Sequence, residues 1–285
     1  MTEKKKHKLL PKLVKIIVIF VLITILISVY GFNFATKGLK VKEYKIESKN
    51  IPNAFYGLKV IHISDIHYGK YYNKKEFERV VLKINEINPD IVVITGDIID
   101  DKITDKEQKE LNQLLKNINC NIKKYIITGD HDQNKFFNNI IKDTNFFNIS
   151  DSYDIIYSKN NQIFIAGISS NISNTKKISE KEKDINLYLE NNKPAFKIML
   201  MHEPDYINNL SNKYDLILAG HSHNGQFRLP IIGAIFKPEG ATKYYDEFYN
   251  TNKGNIYISS GLGTTGLHIR FLNKPSINFY RIVKK

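Results

Sequence analysis

The chain has 285 residues, enough for one large packed domain or two small ones, and its 42% hydrophobic and 25% charged content is ordinary for a globular protein. Of the net charge of +13, residues 1–45 carry +8 through ten Lys and two Glu, so residues 46–285 hold only +5 and form no dense basic stripe, which makes nucleic acid a weak candidate partner. Cys120 is the only cysteine, which excludes an intrachain disulfide and any cysteine-cluster metal site.

The basic segment 1–15 precedes an uncharged apolar run from Ile16 to Phe32. Its 17 residues reach the short end of a bilayer span, and Lys15 can snorkel to extend it. The run is apolar on every side, unlike the amphipathic helix of a soluble core. Bulky residues follow it where a signal peptide would need small ones, so an uncleaved single-pass anchor in the cell membrane is expected. Six Lys precede the span, and Lys37, Lys40, Lys42 and Lys45 follow it. That asymmetry favours a cytoplasmic N-terminus and an extracytoplasmic main domain.

Residues 33–55 read as a linker leading into an entry strand, and 56–285 as the main domain. Strands are expected at 58–64, 91–95 and 124–128, each followed by a helical pattern at 75–87, 105–118 and 134–143. The second half is richer in strands, at 154–158, 162–168, 196–201, 215–219, 255–260 and 276–283, with a polar helix near 178–191. Alternation followed by extra strands predicts a layered α/β domain with a second sheet packed on the first.

Five strand ends carry the chemistry. "SDIH" offers Asp65 and His67, "GDIID" Asp97 and Asp100, and "GDHD" Asp130, His131 and Asp132. "MHEPD" offers His202, and "GHSH" His221 and His223. Any one of these alone is ordinary turn or cap chemistry. Together they gather five of the eight histidines at the carboxyl ends of strands, where open α/β sheets place their sites. Imidazole and carboxylate without thiolate suit a pair of divalent ions, zinc, manganese or iron. One carboxylate must bridge such a pair, which lowers the pKa of a bridging water and draws charge from a phosphoryl oxygen.

The series DIH, GDIID, GDHD, H and GHSH resembles the calcineurin-like metallophosphoesterase superfamily, whose pattern is DxH, GDxxD, GNH[DE], H and GHxH. The Gly-rich tail "SSGLGTTGLHIRF" at 259–271 and the N-terminal apolar segment are similar to a bacterial membrane-associated subgroup related to YkuE and YaeI. That subgroup includes enzymes that cleave the pyrophosphate of UDP-diacylglucosamine. The resemblance implies a four-layer α/β/β/α sandwich and a dinuclear phosphoester or pyrophosphate hydrolase, with lipid-linked or envelope substrates in view of the anchor. By position, it implies that Asp65, His67 and His223 hold one metal, Asp130, His202 and His221 the other, and that Asp97 bridges. His131 would stabilise the phosphoryl oxygens or protonate the leaving group, and Asp100 would orient ligands from behind. One position departs from the pattern: Asp130 stands where Asn is usual, adding a negative charge to the site.

Arg270 is a further candidate for gripping phosphate, ahead of Lys243, and His268 for facing the site from the Gly-rich turn. His62 lies mid-strand and reads as structural, and the aromatic cluster at 243–249 as packing or a substrate or membrane contact. Protein serine/threonine phosphatases place phosphate-binding arginines after GDxxD and GNHE; here those places hold Asp101-Lys102 and Gln133-Asn134. Two alternatives stay open, a phosphomonoesterase and a membrane-tethered scaffold with a degenerate metal site.

Overall fold

A computed structural model describes residues 3–285 except 70, 101–102, 133–134 and 173–175, with residues 3–10 described by backbone alone. The positions that bear on the phosphatase comparison, Asp101, Lys102, Gln133 and Asn134, therefore lie outside the described residues.

Helix α1 (Glu3–Tyr30) runs into a π-helical turn at Gly31–Ala35. Strand β1 (Lys40–Ser48) follows, within the stretch read as linker and entry strand. Then come β2 (Leu58–Ile63), α2 (Lys74–Ile87), β3 (Ile91–Thr95), α3 (Asp105–Lys116), β4 (Lys123–Ile127), α4 (Lys135–Asp143) and β5 (Phe146–Asn148). The second half supplies β6 (Ser152–Ser158), β7 (Asn161–Ile168), α5 (Ile178–Lys181), α6 (Lys183–Asn191), β8 (Phe196–Met201) and β9 (Leu216–Ala219). A short hairpin, β10 (Arg228–Leu229) and β11 (Gly233–Ala234), precedes β12 (Phe248–Thr251), β13 (Gly254–Ile258) and β14 (Ser276–Lys284).

One sheet has the order β1-β14-β2-β3-β4-β5 and the other β12-β13-β9-β8-β7-β6. Strands β2 to β5 are parallel, as are β7, β8, β9 and β13. Parallel strands covered on both faces need apolar residues at every position, which is why "IVVI" and "LILA" are continuous runs. Within β3, Ile91 and Val93 point between the sheets, where they join Tyr125, Ile198, Leu200 and Leu218. Val92 and Ile94 point the other way, onto the layer that holds Val80, Ile84 and Leu111 from α2 and α3. On the far side, Met199, Met201 and Ile217 meet Ile178 and Ile185 of α5 and α6. The result is the four-layer α/β/β/α order expected.

Local chemistry sets the helix starts. Asn73 and Thr104 each accept from a backbone N–H of the first turn, while Glu76 and Glu107 reach back to their backbone N–H groups. The single polar helix expected near 178–191 is two pieces, broken at Glu182. Helix α1 is the exception to all this packing. From Pro11 to Ala35 it is long and apolar enough to cross a membrane, and none of its most apolar window is buried.

Candidate dinuclear metal centre

Strands β2, β3, β4, β8 and β9 end at one place, and their following turns deliver the expected residues. Asp65, His67, Asp97, His221 and His223 all adopt left-handed backbone, with φ between 44° and 65°. Such conformations cost non-glycine residues on the order of 1 kcal/mol or more each and persist only where the surroundings enforce them. Enforcement is visible. The His221 N–H donates to both oxygens of Asp65 at 3.0 and 3.1 Å, and the Asp65 and His67 N–H groups donate to the carbonyls of Gly96 and Asp97, each at 3.0 Å. Glycine is needed where these turns meet: a Cβ at Gly129 would lie 2.1 Å from Asp97 Oδ1, and one at Gly220 would lie 2.0 Å from Ser64 Oγ.

Asp97 sits at the middle. Its Oδ2 lies 3.5 Å from His67 Nε2 on one side and 3.5 Å from His202 Nε2 on the other. Asp65, His67 and His223 form one cluster, Asp97, Asp130, His202 and His221 a second, and within each the donor atoms lie within 4.8 Å of one another. Separations of 3.5 Å for His221 Nδ1 to Asp130 Oδ1 and 3.6 Å for His223 Nε2 to Asp65 Oδ1 suit donors bonded at about 2.1 Å to a common ion.

The imidazole tautomers fit a metal. His202 Nδ1 donates to the Thr95 carbonyl at 2.7 Å, and His221 Nε2 donates to the Glu239 carbonyl at 2.6 Å. Each therefore turns its other nitrogen toward Asp130, whose Oδ1 is only 3.0 Å from His202 Nε2. At that distance two lone pairs would repel, so either a proton or a metal ion lies between the two atoms. Burial opposes charge on His202, yet Asp97 and the hydrogen bond to Asp130 outweigh it and hold the imidazole well above its ordinary range. A site that draws a proton this way also favours a divalent ion. Burial raises the Asp130 carboxyl, but the hydrogen bonds with His202 and His221 prevail and keep it below the carboxylate range. His67 Nε2 is buried and finds no hydrogen-bond partner among the described residues, as a ligand awaiting its ion would. Burial, followed by His67 and Arg270, pushes His223 far down, so it stays neutral and able to coordinate.

His131 is partly exposed, at 24% of its side chain, close to the 22% of Asp130. Its N–H donates to Asp97 Oδ1 at 3.0 Å, and its Nε2 lies 3.9 Å from Asp97 Oδ2 and 3.6 Å from Asp130 Oδ2. Asp132 is buried and clamps two turns together, Oδ1 accepting from Ile98 N at 2.9 Å and Oδ2 from Gly129 N at 2.8 Å. Asp100 donates its N–H to the Tyr68 carbonyl at 3.0 Å. Burial pushes the His67 imidazole down, opposed by Asp97, Asp65 and, more weakly, Asp100.

Other expected residues are placed differently. Arg270 offers no open fork to phosphate: it is fully buried, donating to the carbonyls of Ser260 at 2.8 Å, Gly261 at 3.1 Å and Gly263 at 2.5 Å. Its Nη2 stands 3.5 Å from His223 Nδ1, so it braces the Gly-rich loop against a candidate ligand. His268 stacks on Tyr71 with ring centres 4.6 Å apart and bonds Thr264 Oγ1 at 2.9 Å, in a side depression with Tyr72 and Glu76. Lys243 is exposed, its ammonium 4.9 Å from the Tyr244 ring, while Tyr244 and Tyr249 pack on the outer core. His62 is buried against Thr95 Oγ1 at 2.8 Å. Sequence reasoning missed Glu239, which acts through its carbonyl, and Asn273, whose Nδ2 donates to the His223 carbonyl at 2.5 Å. Neither carries a local signal.

Comparison with known proteins agrees with this geometry. The chain is 31% identical over 250 residues to an uncharacterized metallophosphoesterase, YkuE, of Bacillus subtilis, covering 86% of this chain and 85% of that one. It is 25% identical to a Danio rerio transmembrane protein with metallophosphoesterase domain, covering 91% of this chain and 61% of that longer protein. Among solved structures, the Haemophilus influenzae NAD nucleotidase shares the fold with a TM-score of 0.52 at 15% identity, over 72% of this chain and 45% of that one. Residues 58–225, which include every turn from Asp65 to His223, match the calcineurin-like phosphoesterase family, and the chain belongs to it.

Proposed function

We propose that this chain is a membrane-anchored, dinuclear metal-dependent hydrolase of a phosphodiester or pyrophosphate bond, acting on lipid-linked or envelope substrates. The observation that carries the reading is the equal 3.5 Å approach of Asp97 Oδ2 to His67 and to His202, which makes one carboxylate common to two ligand clusters. Asp65, His67 and His223 would hold one ion, Asp130, His202 and His221 the other, with Asp97 shared. A bound pair of manganese, zinc or iron ions supplies an activated water at neutral pH and draws charge from the phosphoryl group.

The chain's own residues do the rest. Asp97 keeps the two clusters in register, and the carbonyls of Thr95 and Glu239 fix the imidazole tautomers. His131, partly exposed like its neighbour Asp130 and beside the other candidate ligands, passes a proton to the departing oxygen. Three carboxylates set against the charge of two divalent ions leave an excess of only about +1. A dianionic monoester gains less from so small an excess than from the more positive site an Asn in place of Asp130 would give, so on charge alone a monoanionic diester is the better substrate. The pyrophosphate reading rests on the resemblance and the anchor.

The apolar helix from Pro11 to Ala35, none of whose most apolar window is buried, supports the membrane anchor, as does the name of the Danio rerio relative. The lysine asymmetry across the span supports an extracytoplasmic catalytic domain. The test is metal analysis of the full chain with hydrolysis of bis(p-nitrophenyl) phosphate, p-nitrophenyl phosphate and a lipid pyrophosphate. Turnover of the diester or pyrophosphate ahead of the monoester is expected. Two bound ions with no turnover of any phosphoester would replace this reading with a scaffold.

A further inference from the structure

The β10–β11 hairpin breaks the rule for a solvated turn. Its two-residue strands pair Arg228 with Ala234 and Leu229 with Gly233, leaving Pro230, Ile231 and Ile232 at the tip. Ile231 is fully exposed and has φ 69°, a conformation that asparagine or glycine adopts readily and a β-branched residue only at a cost. Ile232 is 69% exposed, and Ile235 and Phe236 follow at 53% and 68%. Four large apolar side chains within six residues form a patch of the kind that marks an interaction surface.

What covers it is indicated by what it adjoins. Tyr30, the last residue of α1, meets Phe271 edge-on at 5.9 Å, and Phe271 stacks on Phe227 at 5.3 Å. Phe227 is the base of the hairpin: its carbonyl accepts from Ile235 N at 3.1 Å, and the Phe271 carbonyl accepts from Arg228 N at 3.0 Å. An unbroken aromatic path therefore joins the end of the apolar helix to the hairpin. Arg270 N donates to the Gly31 carbonyl at 3.3 Å, which fixes the helix end to the same loop. Exposed Leu267 lies on the neighbouring Gly-rich loop, which Gln226 Nε2 ties to the hairpin base by donating to the Leu267 carbonyl at 2.9 Å. Exposed Lys37 and Lys237 lie next to these elements in the chain and carry the charge that suits anionic headgroups.

We propose that the hairpin is a second membrane contact, seating Ile231, Ile232 and Phe236 in the interfacial layer of the leaflet from which α1 emerges. The inference rests on reading α1 as a membrane span. It has a consequence for the site. The hairpin begins five residues after His223 and ends five before Glu239, whose carbonyl fixes His221. Docking the tip in lipid holds the metal ligands within a hairpin's length of the bilayer surface, where a phosphoester borne by a lipid would lie.

The test uses the full chain in nanodiscs of phosphatidylcholine and phosphatidylglycerol. In a Cys120→Ser background, an environment-sensitive fluorophore is attached at Ile232→Cys, at Leu187→Cys on α6 and at Phe20→Cys in α1. Docking predicts blue-shifted emission at position 232 and strong quenching by lipids carrying a shallow doxyl group, with neither at 187. Quenching at 20 but not at 232 would overturn the proposal while leaving the anchor intact. Quenching at neither would overturn both. Concentration-dependent excimer formation by a pyrene at 232, without lipid quenching, would instead assign the patch to a second copy of the chain. As an independent readout, Ile231→Ser/Ile232→Ser should lose several-fold activity on a bilayer-embedded phosphoester and none on bis(p-nitrophenyl) phosphate; equal loss on both would count against docking.

Discussion

His202 Nε2 lies 3.0 Å from Asp130 Oδ1, with the other ring nitrogen already committed to the Thr95 carbonyl. An Asn at position 130 would face the same imidazole with a neutral oxygen, and the charge of Asp130 is thus an addition to a working arrangement rather than a requirement of it. Asp130→Asn should keep diester hydrolysis or raise it, and should weaken the second ion by about tenfold, or ~1.4 kcal/mol. Metal titration of activity measures both. Complete loss of turnover at saturating metal would show that the carboxylate is indispensable.

Metal removal should be visible in stability. An ion that binds only the folded chain contributes about 2.7 kcal/mol at a hundred times its Kd. For a domain of this size that corresponds to a Tm lower by about 5–10 °C in chelator than in manganese or zinc. Asp97→Asn should abolish most of the difference, because Oδ2 of this residue faces both clusters. A Tm indifferent to chelator in the parent chain would contradict a resident pair.

The candidate site was legible because its candidate ligands share one grammar: a buried, largely apolar strand, then a turn carrying Asp or His. Asp97, Asp130, His202 and His221 follow such strands, Asp65 follows one interrupted by Lys59 and His62, and parallel strands bring their carboxyl ends together. Strand β1 was harder to delimit, since Lys40, Val41 and Lys42 of this edge strand show neither strict alternation nor a continuous apolar run. Strands β5 and β12, three and four residues long, left no pattern to detect. Arg270 illustrates a different limit. A lone arginine in a loop near a candidate phosphate site invites a binding role, and only tertiary structure reveals the three carbonyls that take up its Nη1 and Nη2 groups.

Arg270 therefore makes a discriminating variant. Arg270→Met strands the carbonyls of Ser260, Gly261 and Gly263, and each buried unsatisfied group costs about 1–3 kcal/mol. Thermal unfolding should shift down by ten degrees or more, with KM for a diester little changed at a temperature where the variant is folded. A raised KM with unchanged Tm would return Arg270 to substrate binding.

His62 predicts a pH dependence. Burial pushes its imidazole down to about 3, so between about pH 6.5 and 3 the unfolded chain binds a proton that the folded chain refuses. Falling pH then favours unfolding by about 1.4 kcal/mol per unit through that window, and above pH 6.5 the effect vanishes. His62→Gln should be less stable at pH 7, having lost a fitted bond to Thr95, yet its stability should fall less steeply on acidification, by about one proton's worth. Urea unfolding of both chains in detergent at pH 7, 6 and 5 gives the comparison. Parallel slopes would mean that His62 is protonated in the fold.

His131 should reveal its role through the leaving group. Its Nε2 stands 3.6 Å from Asp130 Oδ2 and 3.9 Å from Asp97 Oδ2, next to the candidate ligands and reached by solvent. A proton donor at this place matters in proportion to how badly the departing oxygen needs one. p-Nitrophenolate leaves unaided, whereas an alkoxide does not. His131→Asn should therefore lower kcat by about 10²–10⁴-fold for an alkyl diester and far less for bis(p-nitrophenyl) phosphate, with both ions still bound. Rates across a series of leaving groups, paired with metal analysis, separate this from a ligand role. Loss of an ion would make His131 a ligand, and an equal loss of rate across the series would make it a stabiliser of the phosphoryl oxygens rather than an acid.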